Sequence, residues 1–129
     1  MPKLTPSKRV HFARLFIGLA LLPSAASAAT IYLECNAVNQ TGHQRHLRIS
    51  LNDAQGTAKM TVVETGYTAT QSAMFTPSEV TWVNPVAGFR QHLAVNRTSL
   101  KFSSYMDGIG DAGESGQCVI PTDDPNRKF

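Results

Sequence analysis

The amino-acid sequence predicts an all-β domain: a small antiparallel meander of about eight strands that closes into a barrel or folds as a sandwich. Three observations predict this fold. Apolar and polar residues alternate with a period of two along most of the chain. Clusters of Gly, Pro, Asn, Asp and Ser interrupt the alternation at intervals of about 8–12 residues. Two cysteines, Cys35 and Cys118, lie near the two ends of the alternating region.

Residues 1–28 have the features of a cleavable export signal. Four of the chain's 12 basic residues lie there, and no acidic residue occurs before Glu34. An apolar run over 15–22 follows, and Ala26 and Ala28 then occupy the small positions of an A-x-A cleavage pattern. We expect cleavage after Ala28. The apolar run is far shorter than the ~20 residues of a membrane-spanning helix, so we expect no membrane anchor after cleavage and a periplasmic or secreted protein.

Removal of the signal changes the charge of the protein. The whole chain has a formal net charge of +3, but residues 29–129 carry eight basic against nine acidic residues, a net charge of −1. No Lys/Arg stripe remains that could neutralise phosphates, so we expect no nucleic-acid partner. The 101 residues suit one domain, which we place at 29–120, followed by a polar C-terminal tail at 121–129.

The two cysteines predict one disulfide bond, Cys35–Cys118. An even cysteine count in an exported chain is typical of a disulfide framework. The alternative is a pair of buried free thiols. Zinc binding by these cysteines is disfavoured because two thiolates without a two-residue spacing do not form a zinc site. A bridge between the first and last strands favours a closed sheet, which leaves no exposed edges.

The strands follow from the alternation, and short links between them favour antiparallel neighbours. We assign Trp82 and Phe102 to the core, since aromatic residues in a small β domain are mostly buried. The segment 84–88, Asn-Pro-Val-Ala-Gly, is predicted to be a turn. The predicted strands cover 31–37, 47–51, 58–62, 67–75, 80–83, 89–95, 100–104 and 117–120.

No metal or cofactor is expected. His43 and His46 would face opposite sides of a strand, so they do not form a zinc pair with His92. The acidic loop 107–116 does not match the ligand register of an EF-hand, because Ile109 replaces a ligand.

The loop Asp107–Gly116 is our candidate contact surface for a partner. Its glycines predict a mobile segment, and functional residues often lie on loops of rigid scaffolds. The candidate contact residues are Asp107, Asp111 and Glu114, with Tyr105 as the aromatic side chain most expected to be exposed.

Catalytic residues are not predicted. The sequence has no G-x-S-x-G motif, since 113–116 reads Gly-Glu-Ser-Gly, and the predicted disulfide leaves no thiol nucleophile. We therefore expect a non-enzymatic binding module whose partner is an unidentified protein or small ligand of the periplasm. A small hydrolase is the third alternative.

Short motifs in the last third of the chain resemble those of small exported β proteins of proteobacteria. They are the segment 95–102 with its Asn-Arg-Thr turn, the Gly-Gln-Cys at 116–118 and the basic-Phe end at 127–129, together with Cys35. The resemblance implies a bacterial periplasmic setting and a β fold, and it implies no activity.

In size, export and disulfide-closed β architecture the chain is also similar to the periplasmic C-type lysozyme inhibitors. The Ser-Gly-x-x-Tyr and Tyr-x-x-x-Thr-Lys-Gly loop motifs of that family are absent, and Ser103-Ser104-Tyr105 does not replace them. The similarity implies a second alternative function, inhibition of a cell-wall hydrolase such as lysozyme.

Overall fold

Eight antiparallel strands form a closed barrel in a computed structural model, which describes residue 18 and residues 29–122, with the backbone alone for residues 111 and 112. The predicted cleavage site and the rest of the export signal except Gly18, like residues 123–129 of the predicted tail, lie outside the described residues. The strands are β1 (Ile31–Asn39), β2 (Gln44–Asn52), β3 (Thr57–Val62), β4 (Thr68–Phe75), β5 (Glu79–Val86), β6 (Phe89–Asn96), β7 (Lys101–Met106) and β8 (Ile109–Val119).

Each strand pairs with its neighbours along the chain, and β1 pairs with β8 to close the sheet. The prediction of an antiparallel meander of eight strands is confirmed, and the barrel is the form it takes. Short links make this topology possible, because a two-residue turn suffices between antiparallel strands. No helix within the described part of the chain is long and apolar enough to span a membrane.

The predicted disulfide is present and reinforces the closure of the barrel. Cys35 and Cys118 are direct register partners in the β1–β8 ladder, and both are buried. The bond joins residues 83 positions apart, so the chain-entropy model assigns it about 4 kcal/mol of stabilisation. No free cysteine is present.

The core occupies the barrel interior because alternate residues of each strand point inward. Trp82 and Phe102 are buried, as predicted. At one end of the barrel, Phe75 at the end of β4 and Leu100 in the link before β7 pack against the core. The other inward apolar side chains are Leu33, Ala37, Leu47, Ile49, Leu51, Ala58, Met60, Val62, Val80, Leu93 and Val95.

The prediction of a loop over Asp107–Gly116 is wrong. Strand β8 begins at Ile109, so Asp107 and Gly108 alone form the turn after β7. Three glycines lie within β8, and at two of them the neighbouring backbone approaches closely. A Cβ on Gly116 would overlap the backbone carbonyl of Asn36, and one on Gly113 would lie 3.3 Å from the carbonyl oxygen of Ser104. These glycines allow close packing between strands.

The predicted turn at 84–88 is also displaced. Strand β5 continues to Val86, and the turn is Ala87–Gly88, with φ values of 48° and 84°. Positive φ at both central residues is the signature of a type I′ hairpin turn. Asn84 is therefore a strand residue and points into the barrel, where it is 2% exposed.

Candidate functional site

The half of the barrel interior opposite Phe75 and Leu100 contains the buried polar side chains of the described residues. We call it the polar mouth; it consists of the inward-facing Arg45, Tyr67, Gln71, Asn84, Gln91, Ser104 and Glu114. The links 40–43, 63–67, 87–88 and 107–108 lie at this end. Asn84, Gln91 and Ser104 are 2%, 5% and 5% exposed. Polar groups at this depth cost free energy unless they are hydrogen-bonded, so their presence requires a reason.

An ion pair lies on one wall of the polar mouth, between β2 and β8. Arg45 Nε donates to Glu114 Oε2 at 2.7 Å, and Arg45 Nη2 donates to Glu114 Oε1. The two side chains are 27% and 11% exposed. Both carboxylate oxygens are thus engaged by one edge of the guanidinium, the bidentate geometry that makes Arg–carboxylate pairs strong.

A second hydrogen-bonded set lies on the opposite wall of the mouth. Gln71 Nε2 donates to Asn84 Oδ1 at 3.2 Å, and Asn84 Nδ2 donates to the Tyr67 hydroxyl at 3.3 Å. These bonds connect β4 and β5 beyond the end of their backbone ladder, which holds three residue pairs and stops at Ala73–Trp82.

Pro85 limits how far that ladder can extend. The type I′ turn at Ala87–Gly88 makes Val86 and Phe89 a hydrogen-bonded pair, so the backbone N and O of Pro85 point away from β6 and toward β4. Proline has no N–H to donate. The side-chain hydrogen bond from Gln71 to Asn84 links the two strands where the backbone ladder has ended.

A cavity of about 570 Å³ lies in the polar mouth. Its apolar wall includes Met60, Val62, Val86 and Met106, and its polar groups include Arg45, Gln91 and Glu114. Mixed walls of this kind, mostly apolar with a few placed polar groups, are typical of small-molecule sites.

Ser104 adds an unsatisfied polar group to the polar mouth. It is the register partner of Leu93, one layer below the pair formed by Gln91 and Met106. Its Oγ is buried and has no hydrogen-bond partner among the described residues. A buried hydroxyl left unpaired costs about 1–3 kcal/mol, and such groups in folded proteins require an explanation.

The predicted contact residues do not come together. Glu114 points into the barrel, whereas Tyr105 and Asp107 lie outside it, and the side chain of Asp111 lies outside the described part. Tyr105 is 56% exposed. Its ring stacks on that of His92 with centroids 4.6 Å apart and planes at 7°. Asp107 Oδ2 lies 2.9 Å from His92 Nε2 and accepts its hydrogen bond.

His46 and His92 each lie beside a different carboxylate. His46 is in β2, where its Nδ1 lies 2.6 Å from Glu64 Oε1, and its backbone N–H donates to the same oxygen at 2.8 Å. The side-chain hydrogen bond from His46, then its backbone N–H, lowers the pKa of Glu64 below the ordinary value of 4.5. Among the described residues, no three His, Cys, Asp or Glu side chains are grouped as metal ligands.

Sequence reasoning missed Arg45, Asn84 and Gln91 as site residues. The signal was present in the alternation, since Gln91 shares its face with Leu93 and Val95, and Arg45 shares its face with Leu47. A polar residue at an inward-facing position of a strand indicates a polar barrel interior. Arg45 and Asn84 can be recognised in this way only if their strands extend beyond the predicted 47–51 and 80–83.

Comparison of the chain with protein-family models, with curated proteins and with solved structures finds no match.

Proposed function

We propose that the protein is an exported, non-enzymatic binding module that holds a small ligand in the polar mouth of its barrel. The observation that carries the proposal is the group of buried polar side chains, Asn84, Gln91 and Ser104, of which Gln91 lines an open cavity. An eight-stranded barrel interior is just wide enough to be filled by side chains or to hold one small ligand. In this barrel, core side chains fill the half of the interior that contains Phe75 and Leu100, and the other half is open at the polar mouth.

The energetics support a ligand role. An apolar mouth is expected to be at least as favourable for folding, because replacing buried polar groups by apolar ones of similar shape is often neutral or stabilising. Ser104 Oγ gains no compensating bond from the described residues. A mouth that keeps such groups at a cost to stability is expected of a site that binds something through them.

The lining indicates the kind of ligand. Arg45 uses its Nε and Nη2 edge for Glu114, which leaves its Nη1 as a donor for a ligand acceptor. Met60, Val62 and Met106 offer apolar contact. A small molecule with a carbonyl or hydroxyl group on a compact apolar body matches both surfaces.

A binding role fits the geometry better than catalysis. The one unpartnered buried hydroxyl in the described part, Ser104 Oγ, has no base hydrogen-bonded to it, whereas a nucleophile needs one within reach. Glu114 has both oxygens engaged by Arg45, which opposes a role as a general base.

The disulfide is consistent with an oxidising compartment, and with the sequence features of residues 1–28 it supports export to the periplasm or the medium. The intact mass of protein recovered after export tests this directly. We expect a chain that begins at Ala29 and carries one disulfide. A mass that retains residues 1–28 would contradict the proposal of a cleaved signal.

The binding proposal is tested by thermal shift of the exported protein against amino acids, dipeptides, short-chain acids and monosaccharides. We expect at least one class to raise Tm. Val86 is a partly buried residue on the cavity wall, so Val86→Trp is expected to abolish the shift by filling the cavity. The matched control is Tyr105→Ala, outside the barrel, which is expected to retain it. No shift with any class, or equal loss in both variants, refutes the proposal.

Inhibition of a cell-wall hydrolase is the second candidate. It is supported by the closed, disulfide-bonded barrel, the architecture in which the chain is similar to the periplasmic C-type lysozyme inhibitors. The test is lysozyme activity with the exported protein added at micromolar concentration. Dose-dependent inhibition supports this candidate, and unchanged lysis of a cell-wall suspension removes it.

A further inference from the structure

The end of the barrel opposite the polar mouth holds a second cavity, with a volume of about 280 Å³. It lies above the core side chains that fill this half of the barrel, and partly exposed apolar side chains surround its opening. The floor includes Leu51, Val80 and Val95, and the rim includes Ile31, Phe75 and Leu100. We call this cavity the apolar pocket.

The lining and the volume of the apolar pocket limit what it can hold. Leu51, Val80 and Val95 are at most 4% exposed, and their side chains offer no hydrogen bond. Apolar cavities take up compact apolar molecules, and one of about 150 Å³ holds benzene, whereas drug-sized ligands need about 300–1,000 Å³. The pocket therefore suits a single branched aliphatic or aromatic group.

The link before β7 keeps Leu100 on the rim in a strained backbone conformation. Leu100 has a φ of 57°, in the left-handed region that leucine rarely adopts. Its N–H donates to the carbonyl oxygen of Asn96, and its own carbonyl oxygen accepts the N–H of Cys118, both at 2.9 Å. Strained residues persist where the surrounding structure fixes them, and they are concentrated at functional sites. The rim is thus fixed by β6 and β8.

Two opposite charges lie at the opening of the apolar pocket. Asp53 follows the floor residue Leu51 by two positions, and Arg97 follows the floor residue Val95 by two. They belong to the links after β2 and β6, which are four strands apart in the eight-stranded barrel and so lie on opposite walls. Neither charge forms an ion pair with another described residue. A ligand in the pocket therefore meets a carboxylate on one side and a guanidinium on the other.

Arg97 is positioned at this opening by the link between β4 and β5. Its Nη1 donates to the carbonyl oxygen of Thr76 at 2.8 Å, and its backbone N–H donates to that of Ser78 at 2.9 Å. Thr76 follows the rim residue Phe75. Since Nη1 is held in this way, the edge formed by Nε and Nη2 is left for a carboxylate, which it can bind through two parallel hydrogen bonds.

We propose that the apolar pocket binds a free amino acid with an apolar side chain. The side chain enters the pocket, the α-carboxylate pairs with Arg97, and the α-ammonium pairs with Asp53. An internal residue of a peptide carries neither charge, and a fatty acid carries only the carboxylate on a chain too long for this volume. The pocket is separate from the polar mouth, so the inference goes beyond the proposed function.

The experiment is an isothermal titration of the exported protein with L-leucine and L-phenylalanine, with N-acetyl-L-leucine and L-leucinamide as analogues that each lack one charge, and with glycine. We expect leucine or phenylalanine to bind and glycine not to bind. Each blocked analogue should bind about tenfold more weakly or worse, the loss of one charge-assisted hydrogen bond.

Two variants assign the charged groups to their partners. Asp53→Asn should weaken leucine binding about tenfold and leave the binding of N-acetyl-L-leucine unchanged, because that analogue has no ammonium to lose. Arg97→Gln should act in the same way on leucine and leave the binding of L-leucinamide unchanged. Asp107→Asn and Arg90→Gln are the matched controls, since both residues are exposed at the other end of the barrel, and they should leave the affinity for leucine unchanged.

Filling variants locate the site. Ile31 is 42% exposed on the rim, so Ile31→Trp should fill the apolar pocket and abolish binding, whereas Val86→Trp in the polar mouth should retain it. The inference is overturned if no amino acid binds up to about 10 mM, or if the blocked analogues bind as tightly as leucine. It is also overturned if Val86→Trp abolishes binding and Ile31→Trp retains it, a result that places the amino acid in the polar mouth and leaves the proposed function standing.

Discussion

Arg45 and Glu114 form an ion pair although their strands do not pair with each other. Arg45 is on β2 and Glu114 on β8, and β1 lies between them. The link is possible because Ala37, the register partner of both Arg45 and Gly116, is small and fully buried. The long side chains therefore meet over it, inside the barrel.

Removal of one partner of this pair is predicted to cost more than removal of both. Arg45→Met leaves a carboxylate that is 11% exposed without its counter-charge, which we expect to lower the free energy of unfolding by about 1–3 kcal/mol. The double variant Arg45→Met with Glu114→Met should recover most of that loss. Urea unfolding of the wild type, both single variants and the double variant measures the coupling. Additive losses would show that the two side chains do not interact.

Gly116 is predicted to be essential for the packing of β8 on β1. A Cβ at this position would overlap the carbonyl of Asn36, which is backbone and cannot turn aside. We expect Gly116→Ala to destabilise the barrel by about 1–3 kcal/mol through overpacking. Urea unfolding is the measurement.

Gly110 provides the matched control in the same strand. A Cβ there meets nothing within 4 Å, and its φ is not in the positive range. Gly110→Ala is expected to change stability by less than about 0.5 kcal/mol, as at other open surface positions. Equal destabilisation by both substitutions would contradict the close-packing role of Gly116.

The pKa of Glu64 is predicted to depend on His46. The wild-type carboxyl should titrate below its ordinary value of 4.5, and His46→Ala should raise that pKa only part of the way, since the backbone N–H remains. Because the folded pKa is lowered, the carboxylate's contribution to stability is present at neutral pH and lost as pH falls through the folded pKa. Carboxyl ¹³C NMR titration gives the value directly.

His43 is the control for that titration. It lies near Glu64 at the same end of the barrel but is not among the groups that lower its pKa. His43→Ala should leave the Glu64 titration unchanged. If His46→Ala also leaves it unchanged, the hydrogen bond from His46 Nδ1 does not form in solution.

The fold was largely predictable because its signals are local. Period-two alternation located most of the strands, and the turn residues around 67–75 and 80–83 located two more. Cys35 and Cys118 indicated which strands close the barrel. Strand β8 was predicted too short because its glycines were interpreted as a flexible loop. A glycine that allows the close approach of a neighbouring strand looks the same in the sequence. Gly116 can be distinguished only when its neighbour Asn36 is known.

The site was less predictable because it depends on which strands face each other. Glu114 was selected as a loop acid, and its partner Arg45 is 69 residues away in the sequence. The pairing of Tyr105 with His92 likewise follows from the β6–β7 register, which alternation within one strand does not give. Glu114 therefore lies inside the barrel and Tyr105 outside it, although the two residues are close together in the sequence.

The most direct test of the binding proposal is a ¹⁵N NMR titration of the exported protein with the class of small molecule that gives the largest thermal shift. If the polar mouth is the ligand site, the side-chain Nε–H of Arg45 and the side-chain amide of Gln91 shift on binding, and Val86→Trp abolishes both shifts. Shifts confined to residues outside the barrel, or full binding by Val86→Trp, would contradict it.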